Sequence, residues 1–196
     1  MFDYSYHMQK LIADISRTSL PFKHIDSHKI LVGVSRSRNN SRHGLQAKLV
    51  PLKFQDGRRV IQTGGDWYCK MPRIKYNGHE ILYVIYFCLP RFQNLSFNEK
   101  MTIIFHELFH INPAFNGDIR RFPGKFYQHS HSEKEYDTLM ETLSKRYLRR
   151  SPRSRKLADF LRFDHDELSQ RHGEVEGLHL RLPDPILFKR NRNKKG

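Results

Sequence analysis

Residues 105–110 read Phe-His-Glu-Leu-Phe-His, and this stretch constrains the chain more than any other. It is an H-E-x-x-H motif. Two histidines four apart on a helix project from one face and can share one metal ion, with the glutamate beside that face. The surrounding signals ask for that helix. Ser96 is a candidate N-cap, and Glu99 three residues on completes a capping box. Phe97, Met101, Ile104, Leu108 and Ile111 recur at helical spacing and form an apolar side. His106 and His110 fall off the centre of that side, beside Ile103. Pro113 stops the helix soon after His110.

The remaining composition bounds the setting. The chain has 196 residues, of which 38% are hydrophobic, with 14 Phe and 9 Tyr, so a disordered chain is excluded. Such a length suits one domain plus an extension, expected as residues 1–150 and a basic, partly ordered extension over residues 151–196. A net charge of +15 favours acidic partners, nucleic acid first, through a basic surface. The densest run is Lys145, Arg146, Arg149, Arg150, Arg153, Arg155 and Lys156. Cys69 and Cys88 fit neither a zinc ribbon nor a disulfide framework and read as reduced thiols of a cytoplasmic protein. The first residues lack the pattern of a signal peptide, and no apolar run reaches membrane-spanning length. Oligomeric state is not legible.

Along the chain, residues 3–17 are expected to form a helix with Tyr4, Met8, Leu11, Ile12 and Ile15 buried. Residues 30–37 read as a strand with residues 45–54 as its antiparallel partner. Residues 59–62 suit a further short strand. Residues 67–76 and 81–89 are expected to pair as a hairpin around Asn77-Gly78. The second of these is nearly all apolar, as befits a central strand buried on both faces. A helix from Ser132 to about Arg149 keeps Tyr136, Met140, Leu143 and Tyr147 on its core side. Ser151-Pro152 ends it, and residues 157–163 suit one more short helix.

A catalytic metal usually has three protein ligands and an open position. His129, His131, Glu133 and Glu135 follow the motif at a suitable distance. His131, immediately before the expected N-cap Ser132, is the favoured third ligand. Glu133 is a rival on the core side of its helix, His129 is another, and Glu135 reads better as the capping-box partner of Ser132. His24, Asp26 and His28 cluster without a ligand spacing and read as surface polar residues before a strand.

An N-terminal helix, a small sheet, His-Glu-Leu-Phe-His-Ile directly after a strand, and a later His before an aromatic resemble compact zincin metallopeptidases. Closest in layout are the phage-type metallopeptidases and the SprT-like proteases. The resemblance covers about residues 2–150, and only H-E-x-x-H in it is specific. Ser132 stands where SprT-like enzymes have a glycine, and no C-terminal cysteine-rich ribbon is present. Pro113 and Asn116 exclude the metzincin extension. Glu133 with Asp137 has the E-x-x-x-D spacing of thermolysin-like gluzincins. Neither cysteine matches the ligand segment of deformylases.

The resemblance implies an α+β, zincin-like fold, with a small antiparallel or mixed sheet packed on the N-terminal and H-E-x-x-H helices. It implies a zinc-dependent peptidase acting on protein or peptide substrates, with Zn2+ on His106, His110 and His131 and Glu107 as general base. The alternative is a basic nucleic-acid-associated module, or a DNA-linked protease, in which the motif is structural or vestigial.

Overall fold

The computed structural model describes residues 1–37, 44–121 and 133–190, and of Glu133 and Lys134 the helical backbone only. The fold is α+β. Its elements are β1 (Phe2–Asp3), α1 (Tyr4–Thr18), β2 (Ile30–Arg36), β3 (Ala47–Pro51), β4 (Val60–Gly64), β5 (Trp67–Lys70), β6 (Lys75–Tyr76) and β7 (His79–Glu80). They continue with β8 (Tyr83–Leu89), α2 (Phe97–Phe109), α3 (Glu133–Arg150), α4 (Pro152–Ala158), α5 (His165–His172), β9 (Val175–Glu176) and β10 (Ile186–Lys189).

The central sheet has the order β2-β8-β3 and is mixed. β2 runs parallel to β8, and β3 antiparallel to it. Every residue of β8 is buried. Tyr83, Ile85, Phe87 and Leu89 join the main core with α1, α2 and α3. Val84 and Tyr86 face a smaller cluster on the other side, covered by Leu178, Leu180 and Leu182. The Val34 N–H donates to the Leu178 carbonyl and the Tyr86 hydroxyl to that of Leu180, which fastens the C-terminal segment over the sheet. Gly33 makes room there, because a Cβ on it would lie 3.0 Å from the Tyr86 ring.

Two expected pairings are replaced. β3 does not pair with β2; both flank β8, because a strand apolar on both faces buries more in the middle than at an edge. The Asn77-Gly78 turn forms, with both residues at positive φ, but its ladder holds only Lys75 opposite Glu80 and Tyr76 opposite His79. Pro72 offers no N–H to extend it, and both edges of β8 are already occupied. β5 instead pairs with β4 and β10 in a separate antiparallel sheet.

The helices follow their local signals. Asp3 caps α1 through the Tyr6 N–H. Ser96 and Glu99 form both bonds of the capping box on α2. Ser151 caps α4 and Pro152 opens it, so the dipeptide ends one helix and starts the next, earlier than the expected 157–163 segment. α5 was not anticipated, although Asp164 and Glu167 form a full capping box that the sequence displays. Ala158, Phe160, Leu161 and Leu168 join the main core, so the segment after residue 150 helps close it.

Candidate active site

α2 runs between β3 on one side and α3 on the other, and its register distributes the motif between them. Met101, Ile104, Leu108 and Ile111 are buried in the main core, as the periodicity demands. His106 and His110 are half-buried, with ring centroids 4.6 Å apart. Both lie against Tyr136 of α3, His106 at 4.8 Å edge-on and His110 at 6.1 Å stacked. Residues one helical turn apart thus share one aromatic wall. The Tyr136 hydroxyl is driven well above its ordinary pKa, mainly by burial.

The carboxyl of Glu107 is turned to β3. Its Oε2 accepts a hydrogen bond from the Leu49 N–H at 2.6 Å. Only 8% of the residue is exposed, and burial pushes its pKa up to about 7, with the Leu49 N–H pulling the other way. β3 is an edge strand, so a residue whose backbone does not face β8 is free to meet α2.

α3 and α2 are antiparallel. Phe105 meets Tyr147 near the end of α3, whereas His106, Phe109 and His110 meet Tyr136 near its start. Asp137, on the first turns of α3, brings Oδ1 to 3.8 Å from His106 Nδ1. A carboxylate at that nitrogen favours the tautomer that leaves Nε2 open to a metal. The Arg120 N–H donates to the His110 carbonyl and Arg120 Nε to that of Phe109, satisfying two carbonyls at the end of α2. The Arg120 guanidinium also lies 4.0 Å over the Phe109 ring. Neither Asp137 as a partner of His106 nor Arg120 as the clamp on α2 was assigned from sequence. The E-x-x-x-D spacing marked Asp137, but nothing in the spacing marked Arg120.

His106 and His110 are brought together against Tyr136, while the Glu107 carboxyl is turned to Leu49 of β3. His129 and His131 lie outside the described residues, as does the side chain of Glu133. Glu135 is exposed. His28 stacks on His79 at 5.4 Å, and His24 is half-buried with its pKa lowered by burial and by Arg120, so the 24–28 cluster gathers no ligand set. Among the described residues no three His, Cys, Asp or Glu side chains are grouped to hold a metal. The residues present nonetheless fit one, since two imidazoles share a wall, a carboxylate backs one of them, and the remaining candidate ligands precede or open α3. Both cysteines are free, and no helix of the described residues is long and apolar enough to cross a membrane.

No curated protein and no solved structure matches the chain. Residues 3–144 match the family described as "Putative phage metallopeptidase". That span runs from the N-cap of α1 into α3 and takes in the motif helix, Leu49, Tyr136 and Asp137. With most of its length matched, the chain belongs to the phage metallopeptidase family.

Proposed function

We propose that the protein is a zinc-dependent peptidase with a zincin-like active site, in which His106 and His110 hold the metal and Glu107 is the general base. One observation carries the reading: both imidazoles line one wall of α2 while the adjacent carboxyl stands buried at the edge strand. Zinc in such a site supplies Lewis acidity, polarising a peptide carbonyl and acidifying water. Glu107 takes the proton of the attacking water and delivers it to the leaving nitrogen. Asp137 orients His106. The two free thiols suit a reducing, cytoplasmic setting.

The third ligand comes from the segment that opens α3. The order of residues favours His131. The register of α3 favours Glu133. Residue 133 stands one turn before Asp137 on the same helix face. Because α3 is antiparallel to α2, a step of one turn back from the level of His106 reaches the level of His110. A glutamate there would complete a two-histidine, one-carboxylate set. That argument supports Glu133 over His131.

The test measures bound zinc and casein hydrolysis together. Glu107→Gln is expected to keep its metal and to lose roughly 10²-fold or more in rate. Glu133→Ala is expected to lose zinc and His131→Ala to retain it. The reverse pattern returns the assignment to His131. Wild-type protein without near-stoichiometric zinc sinks the peptidase reading.

A further inference from the structure

A cavity of about 1070 Å³ lies between α1 and α4 and contains none of the motif residues. Five cations line it: Lys10 and Arg17 from α1, Lys23 from the turn that follows, and Arg153 and Lys156 from α4. Three carboxylates also line it, and each has a cation of its own. Asp26 pairs with Lys29 at 3.5 Å, Asp159 with Arg162 at 3.3 Å, and Asp14 with Arg17 at 2.7 Å. With Lys29 and Arg162 counted, seven cations surround three carboxylates.

Asp14 makes this rim a built feature. Its side chain is 3% exposed, and its Oδ2 accepts from the Tyr147 hydroxyl at 2.9 Å and the Ser154 hydroxyl at 3.4 Å. Its Oδ1 holds Arg17 and stands 3.6 Å from Arg153 Nε. One buried carboxylate therefore joins α1, α3 and α4 and orients two guanidiniums that are 61% and 71% exposed. Part of the basic run noted in the sequence is spent on this cavity.

The floor is lined by aromatic and imidazole rings. Phe2 and His7 are stacked at 4.4 Å, His172 lies 5.3 Å from Phe2, and Phe163, with the Arg171 guanidinium 4.1 Å over its ring, lines the same space. Cations on the rim and rings on the floor match the two parts of an unpaired nucleotide, its phosphate and its base face. A duplex keeps its base faces stacked inside and would leave the floor unused. We propose that this cavity binds single-stranded nucleic acid, with phosphates on Lys10, Lys23, Lys156 and the two arginines and bases against the His7, Phe163 and His172 rings.

The test titrates a labelled oligothymidylate into the full-length protein across a salt series. Affinity is expected to fall steeply with salt. The triple variant Lys10→Gln, Lys23→Gln, Lys156→Gln is expected to lose tenfold or more at low salt, and its log–log salt slope to flatten by about 2, at about 0.7 per phosphate contact. Lys189→Gln with Arg190→Gln, which removes charge at β10, is expected to stay within twofold of wild type. A triple variant that binds like wild type overturns the proposal. So does an equal loss in the β10 variant, a flat salt response, or tighter binding of duplex or polyglutamate than of the single strand. Zinc content and casein hydrolysis are expected to be unchanged in the triple variant, so this result and the peptidase assignment stand or fall separately.

Discussion

Single residues carry most of the chemistry, and their environments differ from what composition suggests. Lys100 is a case outside the active site. It sits on the polar flank of the α2 pattern yet is 1% exposed, with its Nζ donating to the Phe163 carbonyl at 2.8 Å. Burial lowers its pKa to about 8, against the opposing pull of Asp164, Glu167 and Glu99. An unfolded lysine titrates near 10.4, so between those values the unfolded chain holds more protons than the folded one. Stability contributed by this group therefore rises with pH across that window. Below pH 8 both states are charged and the folded protein bears the full burial cost. Unfolding free energies of wild type and Lys100→Met, compared from pH 7 to 10.5, should change in difference by roughly 2–3 kcal/mol in favour of wild type. Tyrosine ionisation is common to both and cancels. A difference that does not move with pH would mean Lys100 keeps an ordinary pKa.

At the level of elements, α2 is held by its ends as much as by its buried face. Ser96 and Glu99 satisfy its first N–H groups, and Arg120 satisfies carbonyls at its last turn. Ser96→Ala should cost about 1 kcal/mol, read as a lower melting temperature, while zinc content stays the same. Loss of metal in that variant would mean the cap positions the ligands as well as stabilising the helix. Apolar periodicity made α1, α2 and α3 legible in the sequence, and a capping box did so for α2, because both are set by residues close in the chain; the box expected at Ser132 lies outside the described residues. Strand partners were not legible. β3 paired with β8 rather than β2, and β5 with β4 and β10 rather than β8, because the choice depends on which strand is apolar on both faces and which edges remain.

For the molecule as a whole, the boundary near residue 150 deserves a direct test. Ala158, Phe160, Leu161 and Leu168 belong to the main core with Phe2 and Tyr4. The last three are large side chains, each contributing about 1.5–3 kcal/mol when buried. Their sum is comparable to the net stability of an ordinary domain. A fragment of residues 1–150 should therefore lose cooperative thermal unfolding by circular dichroism. If it melts like the full chain, residues 151–196 are a separable extension as the charge pattern suggested.

The sequence by itself determined the motif, its helix with the Ser96 cap, the central strand and the family resemblance. All of these rest on residues within a few positions of one another or on one uninterrupted apolar run. It narrowed the third ligand to four residues and could not choose among them. Only the tertiary structure decided that α3 lies antiparallel to α2, that Asp137 backs His106, that Glu107 reaches the Leu49 N–H, and that Asp14 gathers two arginines beside a cavity. Those contacts join residues 26 to 139 positions apart, apart from the local Asp14–Arg17 pair. No local pattern encodes them, because they exist only once the core has chosen which faces meet.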